Sequence, residues 1–403
     1  MKEPGKIVII GGGAAGLLAA DLLSASCPVD LYEKGKTVGR KLLVAGKGGF
    51  NLTNAVAGAD LTARYLPPGF LDAALAAFDT GATRDWLARL GIPTFVGTSG
   101  RVFPEKGIKP AQVLQKIKDK LSRQGVRFHY QHEFTGFDEE HKPIVRQGKK
   151  DLVLQADRYL FALGGASWPV TGANSRWPGA FASLGVHTVP FQASNCGAEV
   201  WWPAEFGVTY AGTPLKNIQL TAGHQQQKGE ALVTDYGLEG NAVYPLGPAL
   251  RQALAGGLPA SIRIDFKPLN THQQLLEKIR GGHLKPKNYL HAFNLTKVQL
   301  ALIKAYTTRE QYLDPALFIG TLKDLPLPIA ALRPVEEAIS TVGGIAVGEL
   351  NPDFSLKAYP HLVVVGEMID WDAPTGGFLL QGCFATAHYA ARAILQAAAA
   401  PVN

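Results

Sequence analysis

Glycines stand at positions 11, 13 and 16 in the run Gly11-Gly12-Gly13-Ala14-Ala15-Gly16, and a carboxylate, Glu33, lies 22 residues after the first of them. Three missing side chains at G-x-G-x-x-G spacing, followed at that distance by an acid, suit the binding of a dinucleotide. Gly11 permits a tight turn. Gly13 removes a side chain where a pyrophosphate must approach the backbone. Gly16 lets a helix pack closely on a strand. Ala14 and Ala15 then begin a helix whose unpaired N–H groups face the anion. Glu33 accepts hydrogen bonds from ribose hydroxyls, with Lys34 beside it.

Such chemistry needs a strand, a loop, a helix and a second strand in that order. Residues 6–10 (KIVII) form a short β-branched run, as expected of a buried parallel strand. Leu17, Leu18, Leu22 and Leu23 recur at helical spacing within 14–26, and 29–32 reads as the next strand. The competing reading is a glycine-rich turn without a ligand. A second cluster follows: Gly39, Arg40 and Lys41, then Gly46 and the stretch Asn51-Leu52-Thr53-Asn54. Two cations with more glycines suggest an extended polyanionic ligand, although Arg40 and Lys41 alone would read as a solvated pair. The first motif by itself leaves FAD and NAD open.

GGGAAGLLAA, GRKLLVAGKGGFNLTN, TVGGIAV and GEMIDWDAPTGGFLLQ together resemble the HI0933-like (BaiN-type) flavoproteins of bacteria and archaea, as a divergent branch. The resemblance implies an α/β fold: a glutathione-reductase-like, Rossmann-type domain binding FAD non-covalently. It covers both ends of the chain. The chain departs from the commoner GGGRCNLTN in having Gly49-Phe50 for Arg-Cys, and from GGYNLQ in having Leu379 where Asn is frequent. The family pattern further implies backbone contacts to the adenine at Phe134. A second glycine signature follows the strand at 159–163, placing Ala162, Leu163, Gly164 and Gly165 against the cofactor. The last strand, 361–365, delivers Gly366 and Glu367, with Asp370 after them. Gly376, Gly377, Phe378 and Leu379 open the final helix, whose N–H groups are expected to face the flavin pyrimidine. The loop at Arg101 and the loop Tyr236–Gly240 also match the family.

The remaining chain constrains the organisation. At 403 residues, two or three domains are expected. The predicted FAD domain is discontinuous, comprising 1–187 and 333–403. Residues 188–332 form an insert, mainly β over 188–268 and mainly helical over 269–332, with Pro326 and Pro328 ending the helices. No second G-x-G-x-x-G occurs there, so the nicotinamide domain of a disulfide reductase is not expected. Helices are expected at 70–90, 111–124, 272–280, 297–306 and 310–322, and a strand pair at 125–137. Cys27, Cys196 and Cys383 form no CxxC pair, which speaks against a dithiol redox centre or a zinc site. No metal is expected. The sparse cysteines fit a reducing cytoplasm. A secretory leader competes for the first 27 residues, but Asp21 interrupts the apolar stretch. No apolar run is long enough for a membrane span.

The expected activity is that of an FAD-dependent oxidoreductase reduced by NAD(P)H, passing hydride to a small organic acceptor such as an enone. His129, His132 and His187 are possible proton donors, but none sits in a strong motif, and no catalytic residue is assigned. The alternative is a flavoprotein acting on nucleic acid, of the tRNA-modifying type. It is suggested by 40 Lys and Arg against 33 Asp and Glu, a formal charge of +7. Those basic residues read as dispersed, with no block of five, so a nucleic-acid partner is not favoured.

Overall fold

A computed structural model of the chain describes residues 5–44, 50–173, 175–203, 205–279 and 284–399. The chain divides into two compact units: residues 1–192 with 340–403, and residues 193–339.

The first unit is built on a five-stranded parallel sheet. Its strands are β1 (Ile7–Ile10), β2 (Val29–Glu33), β3 (Arg127–Tyr130), β4 (Arg158–Phe161) and β5 (Leu362–Val364), in spatial order β5-β4-β1-β2-β3. The four apolar residues of β1 are all buried, as expected of a central strand in a parallel sheet. The chain runs outward from β1 to β2 and β3, then returns to β4 on the other side of β1. Strand order therefore reverses at β1, where α/β sheets bind their ligands. Helix α1 (Ala14–Leu23) packs along the last helix, α2 (Phe378–Ala399). An antiparallel meander of strands Glu133–Phe137, Pro143–Gln147 and Lys150–Val153 adds a second sheet. The stretch expected as a strand pair at 125–137 thus divides between the two sheets.

The second unit is a closed six-stranded barrel with helices packed on one apolar core. In spatial order the barrel strands are Ala198–Val200, Gly237–Glu239, Gln225–Val233, Pro214–Ala222, Ser261–Asp265 and Leu325–Leu332. The last of these lies in the stretch expected to be mainly helical. Leu325, Leu327 and Ile329 point into the core, while Pro326 and Pro328 face out. Prolines are tolerated because this part of the strand pairs only with 261–264; the second neighbour begins at Ile329. Conversely, helix Gly247–Ala255 lies within the stretch expected to be mainly β. The helix expected over 310–322 is two, Arg309–Leu313 and Pro315–Lys323, divided where the Asp314 side chain caps the second.

The unit boundaries fall at 192/193 and 339/340, a few residues beyond the expected 187/188 and 332/333. On the first-unit side, a Cβ on Gly343 would stand 2.6 Å from the Pro190 carbonyl oxygen, so 188–192 runs beside 340–345. On the second-unit side, Arg333 is ion-paired with Glu199, and the Ile339 amide donates to the Asn195 carbonyl.

Candidate functional site

Gly11, the residue after β1, has φ +107°, and a Cβ there would stand 2.3 Å from the Ala162 carbonyl oxygen. Gly16 is equally constrained: a Cβ would stand 2.0 Å from the Gly11 carbonyl oxygen. The protein's own packing therefore requires both glycines. Gly13 differs. Its backbone (φ −80°, ψ −168°) suits any residue, and a Cβ there would meet nothing within 4 Å. Gly13 is the N-cap of α1 and supplies no side-chain cap. The helix thus presents its first N–H groups, which lack intrahelical acceptors, at a position shaped for an outside anion.

Glu33 ends β2 beside this loop. One carboxylate oxygen accepts the Gly12 amide at 2.9 Å and the other the Gly35 amide at 2.7 Å. A carboxylate has about four acceptor sites, so capacity for ribose hydroxyls remains. Lys34 follows, and burial pushes its ammonium pKa down against the opposing pull of Glu133 and Glu33.

The second cluster holds other loops. Gly39 donates its amide to the Gly12 carbonyl at 2.8 Å. The Arg40 guanidinium donates to the Val170 carbonyl at 2.9 Å. Lys41 donates to the Ser167 hydroxyl and to Glu367, both at 2.8 Å. Glu367 also accepts the Thr341 amide at 3.2 Å. Lys41 therefore ties the segment after β4 to the segment after β5, while Arg40 is exposed and reaches only the first of them. Gly165 lies in that knot, where a Cβ would stand 2.1 Å from the Thr341 hydroxyl. Gly164 has φ +73° and open space around it. Gly366 has φ +78°, with Ala15 3.0 Å from where its Cβ would be, so the turn after β5 abuts the start of α1. Ala162 and Leu163 line the turn after β4.

A second group forms around the start of α2. Gly376 and Gly377 have φ of +108° and +103°, and a Cβ on Gly377 would stand 2.3 Å from the Thr53 backbone. The Thr53 hydroxyl is buried and donates to Gln381 at 2.7 Å; the Thr83 hydroxyl donates to the same oxygen at 2.8 Å. Asn54 donates to the Gly376 carbonyl at 2.9 Å. Leu52 is buried and Asn51 half-buried beside them. Phe378 is buried, Leu379 is partly buried, and the Phe378 carbonyl accepts the Tyr65 hydroxyl at 2.7 Å. Asp370 accepts the Gly343 amide at 2.9 Å and so belongs with the strand at 340–345. Phe134 lies in the strand Glu133–Phe137, two residues after His132, whose amide donates to the Glu33 carbonyl at 3.0 Å, and its ring is 5.2 Å from that of Phe161 in an aromatic cluster. Gly46 lies outside the described residues, as does Asn174.

The histidines are engaged or peripheral. His129 contacts the Asp30 carboxylate at 3.0 Å and stacks on Tyr32 at 4.3 Å. His132 bonds the Tyr130 carbonyl at 2.8 Å. His187 is exposed. Among the described residues, no three His, Cys, Asp or Glu side chains gather to hold a metal, and no helix is long and apolar enough to cross a membrane. Sequence reasoning assigned no role to Gln381. It does lie in a segment that carries the family resemblance, GGFLLQ.

The family model described as the HI0933-like protein Rossmann domain matches residues 5–393. The chain belongs to the HI0933-like family. Its parallel sheet and glycine loop are those of a Rossmann-type, FAD-binding domain. Among curated relatives, it is 27% identical to a 3-dehydro-bile acid delta(4,6)-reductase from Clostridium scindens, over 96% of this chain and 98% of that protein. It is 24% identical to a ribosomal RNA dihydrouridine synthase from Escherichia coli, over 97% and 98%. Among solved structures, it resembles 3-ketosteroid delta1-dehydrogenase from Sterolibacterium denitrificans in complex with 1,4-androstadiene-3,17-dione. That match has a TM-score of 0.52 and 13% identity, covering 98% of this chain and all of the other, and it concerns the fold alone.

Proposed function

We propose that this HI0933-like chain is an FAD-dependent oxidoreductase that takes hydride from NAD(P)H and delivers it to a carbon–carbon double bond conjugated with a carbonyl, in a small organic acceptor such as an enone. The observation that carries the cofactor reading is the Gly13 cradle, the one glycine of the motif that neither backbone conformation nor packing requires. FAD, when bound, supplies the hydride chemistry. The chain's residues would hold it. The N–H groups opening α1 receive the pyrophosphate, and Glu33 receives the ribose hydroxyls. The segments after β4 and β5, fastened by Lys41 and Glu367, border its extended body. The N-terminus of α2 carries a partial positive charge that stabilises negative charge arriving nearby.

Acceptor chemistry follows from the relatives. Saturation of a bile acid's Δ4,6 system and conversion of uridine to dihydrouridine share one demand. Each adds hydride to an alkene made electron-poor by a carbonyl, which takes up the negative charge. Two ribosomal RNA dihydrouridine synthases among the relatives favour a second reading, in which the alkene belongs to uracil in RNA. Cys27, Cys196 and Cys383 form no disulfide, consistent with a reducing cytoplasm.

The test is anaerobic. Bound flavin should bleach on addition of NADH or NADPH. It should recolour on addition of a 4-en-3-one steroid or a uridine-containing RNA, and not with a saturated ketone. Failure of both nicotinamides to bleach it, or recolouring only with oxygen, would overturn the reading.

A further inference from the structure

Charge is unevenly distributed along the chain. Residues 267–323 contain nine Lys and Arg against three Asp and Glu; the other 346 residues contain 31 against 30. This one segment therefore carries +6 of the formal +7. The cations are dispersed in sequence, with no run of five, yet all fall within the range of one compact unit, 193–339.

The structure turns most of them outward. Lys278, Lys285, Lys287, Lys297, Lys304 and Arg309 are exposed, and among the described residues none is in an ion pair. Two other cations serve the fold: Lys323 pairs with Asp265, and Lys267 donates to the Asn294 carbonyl. Burial and the nearby charge of Lys278 both push the Lys267 ammonium pKa down, so positive charge is crowded here. The apolar faces of these helices point the other way: Leu275, Tyr289, Val298, Leu302, Phe318 and Ile319 are buried in the unit's core. An outward face of unpaired cations over short helices fits a polyanion. Insertion into a lipid surface would need a helix with its apolar face free, and these helices bury theirs.

An aromatic group adjoins the cations. Trp201 is 76% exposed, and its carbonyl accepts the Tyr306 hydroxyl at 2.6 Å. Tyr306 caps helix Lys297–Ala305, the helix that carries Lys297 and Lys304. Cations that neutralise phosphates, beside a free indole face on which a base can stack, are the parts of a single-strand nucleic-acid site.

We propose that the outward face of residues 267–279 and 284–323, with Trp201 at its border, docks a single-stranded RNA. This goes beyond the flavin chemistry and does not depend on it, since docking is measured without turnover. The experiment titrates the FAD-loaded full chain into a fluorescently labelled 30-nucleotide single-stranded RNA across a KCl series and follows anisotropy. Each phosphate neutralised on a single strand contributes a slope of about 0.7 in log K against log salt. Lys285→Ala/Lys287→Ala/Lys297→Ala should therefore weaken binding and flatten that slope by about 2. Trp201→Ala should weaken binding roughly 5- to 150-fold with little change of slope. A control in the other unit, Lys106→Ala/Lys149→Ala/Lys150→Ala, removes three exposed cations and should change neither quantity. Retention of flavin by every variant verifies the fold. The proposal is overturned if wild-type binding is absent or independent of salt. It is equally overturned if the first triple variant matches the control, or if phosphatidylserine vesicles bind the chain in preference to the RNA.

Discussion

Replacing Gly13 with alanine separates what the fold needs from what a ligand needs. A Cβ at Gly13 meets nothing within 4 Å, and φ of −80° is open to alanine. Two small terms then act on stability. Fewer unfolded conformations stabilise the variant by about 0.4–1 kcal/mol. A poorer N-cap costs a similar amount, roughly 0.5–1 kcal/mol. The apo-protein should therefore melt within about 1 kcal/mol of wild type. FAD is another matter. The added methyl group stands where the pyrophosphate must reach the α1 amides, and losing one charge-assisted hydrogen bond costs roughly 1.5–3 kcal/mol. That is about a 10- to 150-fold weaker Kd. Gly16→Ala supplies the contrast. Its Cβ would lie 2.0 Å from the Gly11 carbonyl oxygen, so the backbone must move and apo stability should fall by about 1–3 kcal/mol or more. Thermal melts of deflavinated protein and FAD titration by flavin fluorescence read the two effects separately. If Gly13→Ala bound FAD with wild-type affinity, or failed to fold, the assignment of this loop to the pyrophosphate would be refuted.

Glu33→Ala should weaken FAD about 10- to 150-fold, from the loss of a charged acceptor. It should also lower apo stability by releasing the Gly12 and Gly35 amides, and unchanged titrations and melts would contradict both roles. Replacing 193–339 with a short Gly/Ser linker should leave a chain that binds FAD. Ending the chain at 339 removes β5 and α2 and should abolish binding, with gel filtration and flavin content as the readouts. Asp30 supplies a pH test. Burial raises its carboxyl pKa, but hydrogen bonds from His129, Lys6 and Arg127 outweigh burial and hold it below the usual range. A depressed folded pKa stabilises above the unfolded value of about 3.9, and the benefit is lost as pH falls through the folded value. Asp30→Asn should therefore lower Tm at pH 7, and the difference should shrink below about pH 4. A constant difference across the pH series would show that Asp30 acts by packing alone.

The first βαβ unit was legible because every local rule agreed at once. A buried β-branched strand, a turn that only glycine can make, a leucine-spaced helix and an acid at the next strand end all point to one structure. The strand near the other end of the chain was expected only because the family resemblance covers both ends. Long-range pairing was not legible. Nothing local indicates that Lys41 meets Glu367, 326 residues away. Strand Leu325–Leu332 was hidden by Pro326 and Pro328, which announce a helix stop and here mark the singly paired part of a barrel strand. Gln381 lay in plain view within GGFLLQ. Only the fold shows that its amide gathers two threonine hydroxyls beneath the Gly376-Gly377 turn. Charge misled in a different way: inspected for runs it looked dispersed, but summed by structural unit it is concentrated.

Identifying and quantifying the chromophore released from the purified chain by heat tests the central claim most directly. The account predicts yellow protein carrying one FAD per chain, held non-covalently and released intact. FMN in its place, or a folded chain that stays colourless after incubation with excess FAD, would contradict it.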